Sequence, residues 1–463
     1  MKSTRALILA IGLTLFLAAS GAEAKVADIP GPTKRPVVAP AFGTYVGGSP
    51  RVRLLAHWGE VGEDGDVAEL LALRERNGRW GRPIRLPRGE LRGVWRDVAS
   101  DGAAVVAFQQ GATTVVRVAP PRRGFGPAVP LELGGQLVSL QFGAKGRLVA
   151  VVGPVLEASG RVRTGLEALV LRASDLRVLS RRSSTGFSRI SDYEARVASD
   201  GTVAGLISGT SNAEAAPRQS LFLLDSGASD FRRVDRDPAM GQVYGLESRL
   251  IASRGRFGFL TQVERPESSV SPPIDVQFAP VLGTTFGAPN VLQTVTAVSQ
   301  GSDTSFYEPS AITGSDIVWP ADNRIAAAWR TRGADPGGDR TWSRLVFAQG
   351  SPLSALPSPV DLSAPGADVG TVFRTVVGDT SVLVWSEERP AVGRVLVRVA
   401  VIDATGRRQL RDVGREVARS TERPADAVAL GSDFVDGRLL VWWRGARGLR
   451  IVEIPQASLT AAP

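Results

Sequence analysis

A turn residue followed six positions later by the end of an apolar strand recurs along the chain, and this repeat limits the possible folds more than any other feature. Gly102 leads to Phe108 (DGAAVVAF), Asn323 to Trp329 (NRIAAAW), Asp379 to Trp385 (DTSVLVW) and Gly437 to Trp443 (GRLLVWW). Weaker copies run from Gly146 to Val152, Gly201 to Ile207 and Gly255 to Thr261, and an opening copy, RVRLLAHW, ends at Trp58. These make eight units at a mean spacing of about 55 residues. A second mark falls later in the unit, where an aromatic-Gly pair precedes Pro: Trp80-Gly81-Arg82-Pro83, Phe125-Gly126-Pro127 and Phe286-Gly287-Ala288-Pro289. Proline cannot donate to a β-ladder, so it belongs where an edge strand begins.

From Thr44 to Pro455 the texture is uniform, with short runs of Val, Leu, Ala and aromatic residues separated by Gly, Asp, Ser and Pro clusters and few segments of helical period. The chain reads as all-β. Each unit runs from an inner hairpin through a third strand to an outer edge strand, and four antiparallel strands repeated radially is the β-propeller plan. Eight blades are expected, with seven as the alternative. WD-type repeats are opposed by the lack of a Gly-His pair in each unit, and kelch repeats by double glycines (Gly47-Gly48, Gly134-Gly135, Gly337-Gly338) that do not recur at blade spacing. An open ring would expose sheet edges. The last unit shows three strands, Asp426 to Leu430, Arg438 to Arg444 and Leu449 to Pro455, so a leader strand near Arg35 to Phe42 is expected to supply the fourth.

The segment Ala99-Ser100-Asp101-Gly102 with its apolar strand AAVVAF, echoed by Ala198-Ser199-Asp200-Gly201, resembles the turn and strand of Tol-type and related exported bacterial β-propeller repeats. That resemblance implies a propeller working outside the cytoplasm. The N-terminus agrees: Lys2 and Arg5, an apolar stretch from Ala6 to Ala19, and Ala22-Glu23-Ala24 read as a signal peptide over residues 1–24, with Lys25 the mature N-terminus. The apolar stretch, about 14 residues, is short of the ~20 needed to span a bilayer. Residues 25–43 then form a Pro-rich leader and 44–463 the propeller, in a secreted or cell-envelope protein with no transmembrane segment after signal removal, expected to be a monomer.

Composition excludes several chemistries. The chain of 463 residues has no cysteine and one histidine, His57, which rules out disulfides, thiolate sites and multi-histidine centres within one chain. Four lysines among 55 basic residues leave 51 arginines and a net charge of +9, but acidic residues are interleaved throughout. That pattern is a solvated surface rather than a nucleic-acid footprint, and no nucleic-acid partner is expected. His57 beside Trp58 is expected to be a satisfied interfacial histidine, and Trp58, Trp329, Trp385 and Trp443, at matching positions, to pack blades. Of the adjacent Trp442 and Trp443, one is expected to face a neighbouring sheet and the other the surface. Arg122-Arg123 after Pro120-Pro121 reads as a solvated turn rather than an anion site.

Three connections are long: Gln262 to Asp275, Ser299 to Asp316 and Arg330 to Thr341. Long connections without structure of their own tend to carry function. They place Glu264, Glu267, Asp303, Tyr307, Glu308, Arg332, Asp335 and Asp339 as candidate ligand-binding residues around units 5 and 6. The expected function is binding or scaffolding, with an exported protein or a cell-envelope glycan as partner and no cofactor, although clustered oxygens there could hold Ca²⁺. The alternative is a carbohydrate-active hydrolase or lyase using two of those carboxylates. Sialidase chemistry is disfavoured, because only four tyrosines exist and the Ser-x-Asp-x-Gly-x-x-Trp turn of that family is missing.

Overall fold

In the computed structural model the described residues are 25–463, except 31–44, 62–66, 88–90, 144–145, 159–160, 185–186, 198–200, 211–217, 236–248, 254–255, 265–273, 283–284, 296–297, 300–304, 307–315, 322–323, 335–340, 352–355, 390–393, 418–429, 446–447 and 461–463. They form an eight-bladed β-propeller of small antiparallel sheets. Blade 1 runs from the axis outward through Tyr45–Ser49, Arg53–Val61, Val67–Glu75 and Ile84–Arg85, and blade 2 through Leu91–Val98, Ala104–Gln110, Thr113–Ala119 and Val129–Leu131. The innermost strands of blades 3 to 8 are Leu137–Phe142, Arg189–Val197, Arg249–Ser253, Asp316–Ala321, Asp368–Val377 and Leu430–Val435. Each of the eight touches the innermost strand of the blade on either side, and blade 8 touches blade 1, which closes the circle.

The eight repeat strands found in the sequence are the second strands of the eight blades. Their residues are apolar on both sides of the strand because every blade is covered on both faces by its neighbours. Phe108, Trp329, Trp385 and Trp443 are buried, as is Trp58. The aromatic-Gly-Pro mark also has one geometry. Gly81, Gly126 and Gly287 each donate an N–H to a third-strand carbonyl, of Leu73, Val118 and Pro280 respectively, at 2.8, 3.0 and 2.7 Å. The chain then passes a proline into the outermost pairing: Ile84–Arg85, Val129–Leu131 and, in blade 5, Asn290–Val295.

Trp442 and Trp443 correct one expectation, since neither side chain reaches the surface. Trp442 packs with Val46, Leu54 and Trp58 of blade 1, whereas Trp443 packs with Val384 and Val397 of blade 7. Alternation along the strand holds, but in a ring both directions lead to another sheet.

Blade 8 is built from both ends of the described chain. From the axis it contains Leu430–Val435, Arg438–Gly445, Gly448–Pro455 and Lys25–Pro30, the last pairing antiparallel from Lys25 opposite Glu453 to Pro30 opposite Gly448. The expected closing strand at Arg35–Phe42 therefore gives way to Lys25–Pro30, and Arg35–Phe42 lies outside the described residues. The physical reason is donor supply: Lys25–Pro30 has its one proline at the last position, whereas Arg35–Phe42 holds two, Pro36 and Pro40, inside the segment. The innermost strand of this blade begins at Leu430, where the expected Asp426–Leu430 strand ends.

The seam between blades 8 and 1 is fastened by the buried Arg74–Glu453 pair, whose carboxylate also lies 3.3 Å from Arg438 within blade 8, and by a hydrogen bond from the Ser49 hydroxyl to Asp436. Deleting Lys25–Pro30 should lower stability by several kcal/mol, at about 1 kcal/mol per lost ladder hydrogen bond, and expose an edge that self-associates. Thermal melting and size-exclusion chromatography check this. Trp443→Ala should cost ~3 to 5 kcal/mol by leaving a cavity between blades 7 and 8, measurable by denaturant titration.

Candidate functional site

The connections at Gln262–Asp275 and Arg330–Thr341 are shorter than expected, because the paired second and third strands extend to Glu264 and Ile274 and to Ala334 and Thr341. The connection from blade 5 to blade 6 carries a short antiparallel pair, Val298–Ser299 with Ser305–Phe306. Arg256–Glu264 leads to Ile274–Leu282 and Arg324–Ala334 leads to Thr341–Gly350, each a second strand feeding a third, while Asp316–Ala321 receives the connection from blade 5. In an antiparallel four-stranded blade these connections leave from the same end, so all three belong to one face of the ring. Glu264 ends its strand opposite Ile274, and Arg332 stands opposite Ser343. Glu267, Asp303, Tyr307, Glu308, Asp335 and Asp339 lie outside the described residues, as does the Ca²⁺ site proposed on them. Among the described residues no three His, Asp or Glu side chains gather as a metal site. Arg330, on the same strand as Arg332, donates to the Val369 carbonyl of blade 7 at 3.2 Å.

A second group of ionisable side chains surrounds the axis at blades 8, 1 and 2. Gly47 has no side chain, and the Tyr45 phenol occupies the space a Cβ there would need. The ring stacks under Arg96, whose Cζ lies 4.9 Å from its centroid, and meets Trp442 edge-on at 6.3 Å. Burial, reinforced by Asp97 and Asp433, pushes the Tyr45 hydroxyl upward, and burial lowers the Arg96 guanidinium despite Tyr45 and Glu69. Burial pushes the Asp97 carboxyl up to about 6, against the backbone N–H groups of Phe142 and Val98 and with help from Asp433. Asp433 is raised by burial as well.

The arrangement has the charge pattern of a proton-handling site, but the hydrogen bonds assign Asp97 another task. One oxygen accepts from Val98 N at 2.8 Å and the other from Phe142 N of blade 3 at 2.6 Å, so this carboxylate fastens one blade to the next. Glu194 repeats the device between blades 4 and 5, accepting from Leu250 N at 2.6 Å. His57 is buried with Nε2 2.7 Å from the Glu69 carboxylate, a histidine held inside its own blade.

A further opening is on the other face, between blades 1 and 2. It is a cleft of about 580 Å³ bordered by Arg51, Arg53, Arg76, Asp101, Gly102 and Arg122, and it lies at the turns joining first to second and third to fourth strands. In the sequence Asp101 and Gly102 mark a repeat turn, Arg51 and Arg53 open the first repeat copy, and Arg122 reads as a solvated turn. Their convergence has no sequence signal, because the first residues of the four turns stand more than 20 residues apart and the turns meet only when blade 2 packs on blade 1.

No family model matches the chain, and no curated protein matches it in sequence. Solved structures resembling it in shape include the β-propeller domain of the Trilobed protease from Pyrococcus furiosus, at 9% identity and TM-score 0.42, covering 81% of this chain and 95% of that one. The WD40 domain of SCAP from fission yeast aligns at 9% identity and TM-score 0.45 over 94% and 99% of the two chains. The polysaccharide lyase Uly1 aligns at 10% identity and TM-score 0.45 over 93% and 94%. The eight blades are assigned from the sheet topology itself.

Because the fold raises the Asp97 carboxyl, it favours the neutral acid, and that stabilisation is present at low pH and lost as pH rises through about 6. The melting temperature should therefore be higher at pH 5 than at pH 7.5. Asp97→Asn should flatten the difference, which a pH series of melting curves will show.

Proposed function

We propose that this protein is an exported β-propeller that acts by binding or scaffolding, with an exported protein or a cell-envelope glycan as its partner. The observation that supports this reading most is topological: the connections of twelve residues or more, 31–44, 153–166, 236–248, 296–315 and 418–429, join a second strand to a third or one blade to the next and so leave one face of the ring, as 265–273 and 335–340 of blades 5 and 6 also do. A rigid ring with extended connections gathered on one side is the arrangement in which loops vary for recognition while the scaffold stays fixed. The signal-like N-terminus and the likeness of Ala99–Gly102 to Tol-type repeats support export from a bacterial cytoplasm. Within this proposal Glu264, Glu267, Asp303, Tyr307, Glu308, Arg332, Asp335 and Asp339 contact the partner, and the chain works as a monomer without a catalytic step.

The test compares wild type with Tyr307→Ala/Glu308→Ala/Asp335→Ala against immobilised envelope fractions and a glycan array. Specific binding by wild type, at least about tenfold weaker in the variant at unchanged melting temperature, is expected; each factor of ten is about 1.4 kcal/mol. Binding that survives the three substitutions rejects the loop face.

A further inference from the structure

We propose that the cleft between blades 1 and 2 binds an acidic saccharide, a sugar unit carrying carboxylate, sulfate or phosphate. This site is on the face opposite the long connections and does not depend on their role.

Its walls are four tight turns. Ser49–Val52 and Glu75–Gly78 come from blade 1, and Ala99–Gly102 and Pro120–Arg123 from blade 2, each closed by a backbone hydrogen bond of 2.9 to 3.1 Å between its first and last residues. Arg51, Arg76 and Arg122 occupy central positions of three of these turns, so their exposed side chains reach the cleft from three directions. The turns approach closely at Gly102, whose φ is +87° and where an added Cβ would meet Val52 Cγ1 at 2.8 Å.

Arg53 forms the inner wall. It is 2% exposed, and it donates to the Pro120 carbonyl at 3.0 Å and to Glu75 at 2.8 Å. Its Nε–H is buried with no partner among the described residues. Two carboxylates border the cleft, and both are engaged: Glu75 by Arg53, and Asp101 by the Ala103 N–H at 2.8 Å. Arg51, Arg76 and Arg122 have no carboxylate partner among the described residues. The opening is thus a concave site with three free guanidinium groups and a buried fourth.

Backbone strain marks the same place. In the Pro120–Arg123 turn Pro121 is followed by Arg122 at φ 62°, the position at which such turns ordinarily carry glycine. An arginine there costs backbone energy that glycine would avoid, and its side chain lines the cleft.

Guanidinium groups match oxyanions in paired hydrogen bonds, which identifies the charge of the ligand. Volume and lining identify the rest. At about 580 Å³ the cleft lies within the ~300 to 1,000 Å³ typical of small-molecule sites and exceeds what a lone inorganic anion would fill. Asn77 offers an amide to hydroxyl groups and the half-exposed Val52 an apolar contact, as a pyranose with charged substituents requires.

Isothermal titration should use an oligogalacturonate tetrasaccharide, a heparin-derived tetrasaccharide, glucose 6-phosphate, a neutral cellotetraose and inorganic phosphate. Wild type is expected to bind at least one acidic saccharide saturably, with affinity falling as salt rises. Arg51→Gln/Arg76→Gln/Arg122→Gln should bind it at least about tenfold more weakly, each tenfold being about 1.4 kcal/mol. The control Arg147→Gln/Arg177→Gln/Arg407→Gln removes the same charge from exposed positions on blades 3 and 7 and should change affinity less than about twofold. Arg122→Gly removes a guanidinium while relieving the turn, so it should fold at least as well as wild type and still bind more weakly. Equal losses in the two triple variants, equal affinity for cellotetraose or inorganic phosphate, or no saturable binding of any acidic saccharide would overturn the proposal.

Discussion

Every blade in this ring has two buried faces, and that constraint governs the rest of the molecule. A sheet whose central strands read AVVAF or RLLVWW is apolar on both sides and cannot leave either side wet. Neighbouring blades supply the cover, so the core is a circle of interblade layers: blades 2 and 3 around Val105 and Leu148, blades 4 and 5 around Leu221 and Phe259, blades 8 and 1 around Leu440 and Leu54. A circle of layers holds only if it has no free end. Pairing Lys25–Pro30 with Gly448–Pro455 removes that end by tying the start of the described chain to its last sheet.

The same constraint explains what was legible in the sequence. The second strands are the positions with least freedom, buried on both sides and flanked by strands on both edges, so all eight carried a visible signature. Outer strands have one unpaired edge and few residues; Ile84–Arg85 was traceable only through the Trp80-Gly81-Arg82-Pro83 mark before it. Trp442 was misread because alternation along a strand was taken to imply an inside and an outside, which a ring of sheets does not have. The closing strand starts ten residues before its expected position because KVADIP, at the boundary of the signal-like segment, is too short to show periodicity by itself. The blade 1–blade 2 cleft was not legible as a site, since its four turns are separated by other strands and meet only through the packing of blade 2 on blade 1.

Arginine has a structural role here that lysine could not fill. Arg53 holds blade 1 to Pro120 of blade 2, Arg74 holds blade 1 to Glu453 of blade 8, and Arg374 donates to the Ala326 carbonyl of blade 6 at 2.9 Å. Within blade 7, Arg398 bridges Glu387 and Asp412 at 3.1 Å each while lying over the Trp385 ring. Arg53, Arg74 and Arg398 each use more than one fixed donor of a planar fork, whereas an ammonium is a single strongly hydrated point charge. In the seams some of these arginines are fasteners between layers, beside the carboxylates Asp97 and Glu194 that accept from a neighbouring blade's backbone.

The two faces of the ring accordingly differ in kind. On one lie the connections from second to third strand and from blade to blade, which include the longest in the ring. On the other, tight turns bring guanidinium groups together where two blades meet, and some of the same atoms hold the seam and line the cleft. Arg53 shows the coupling most directly, since its Nη groups join two blades while its Nε has no partner among the described residues. A ligand that engaged this wall would bind only the closed arrangement of blades 1 and 2, so its binding energy would add to the stability of that seam. Recognition at the cleft and integrity of the ring then draw on one set of contacts, because in a closed circle of sheets the space between two blades is both an interface and a site.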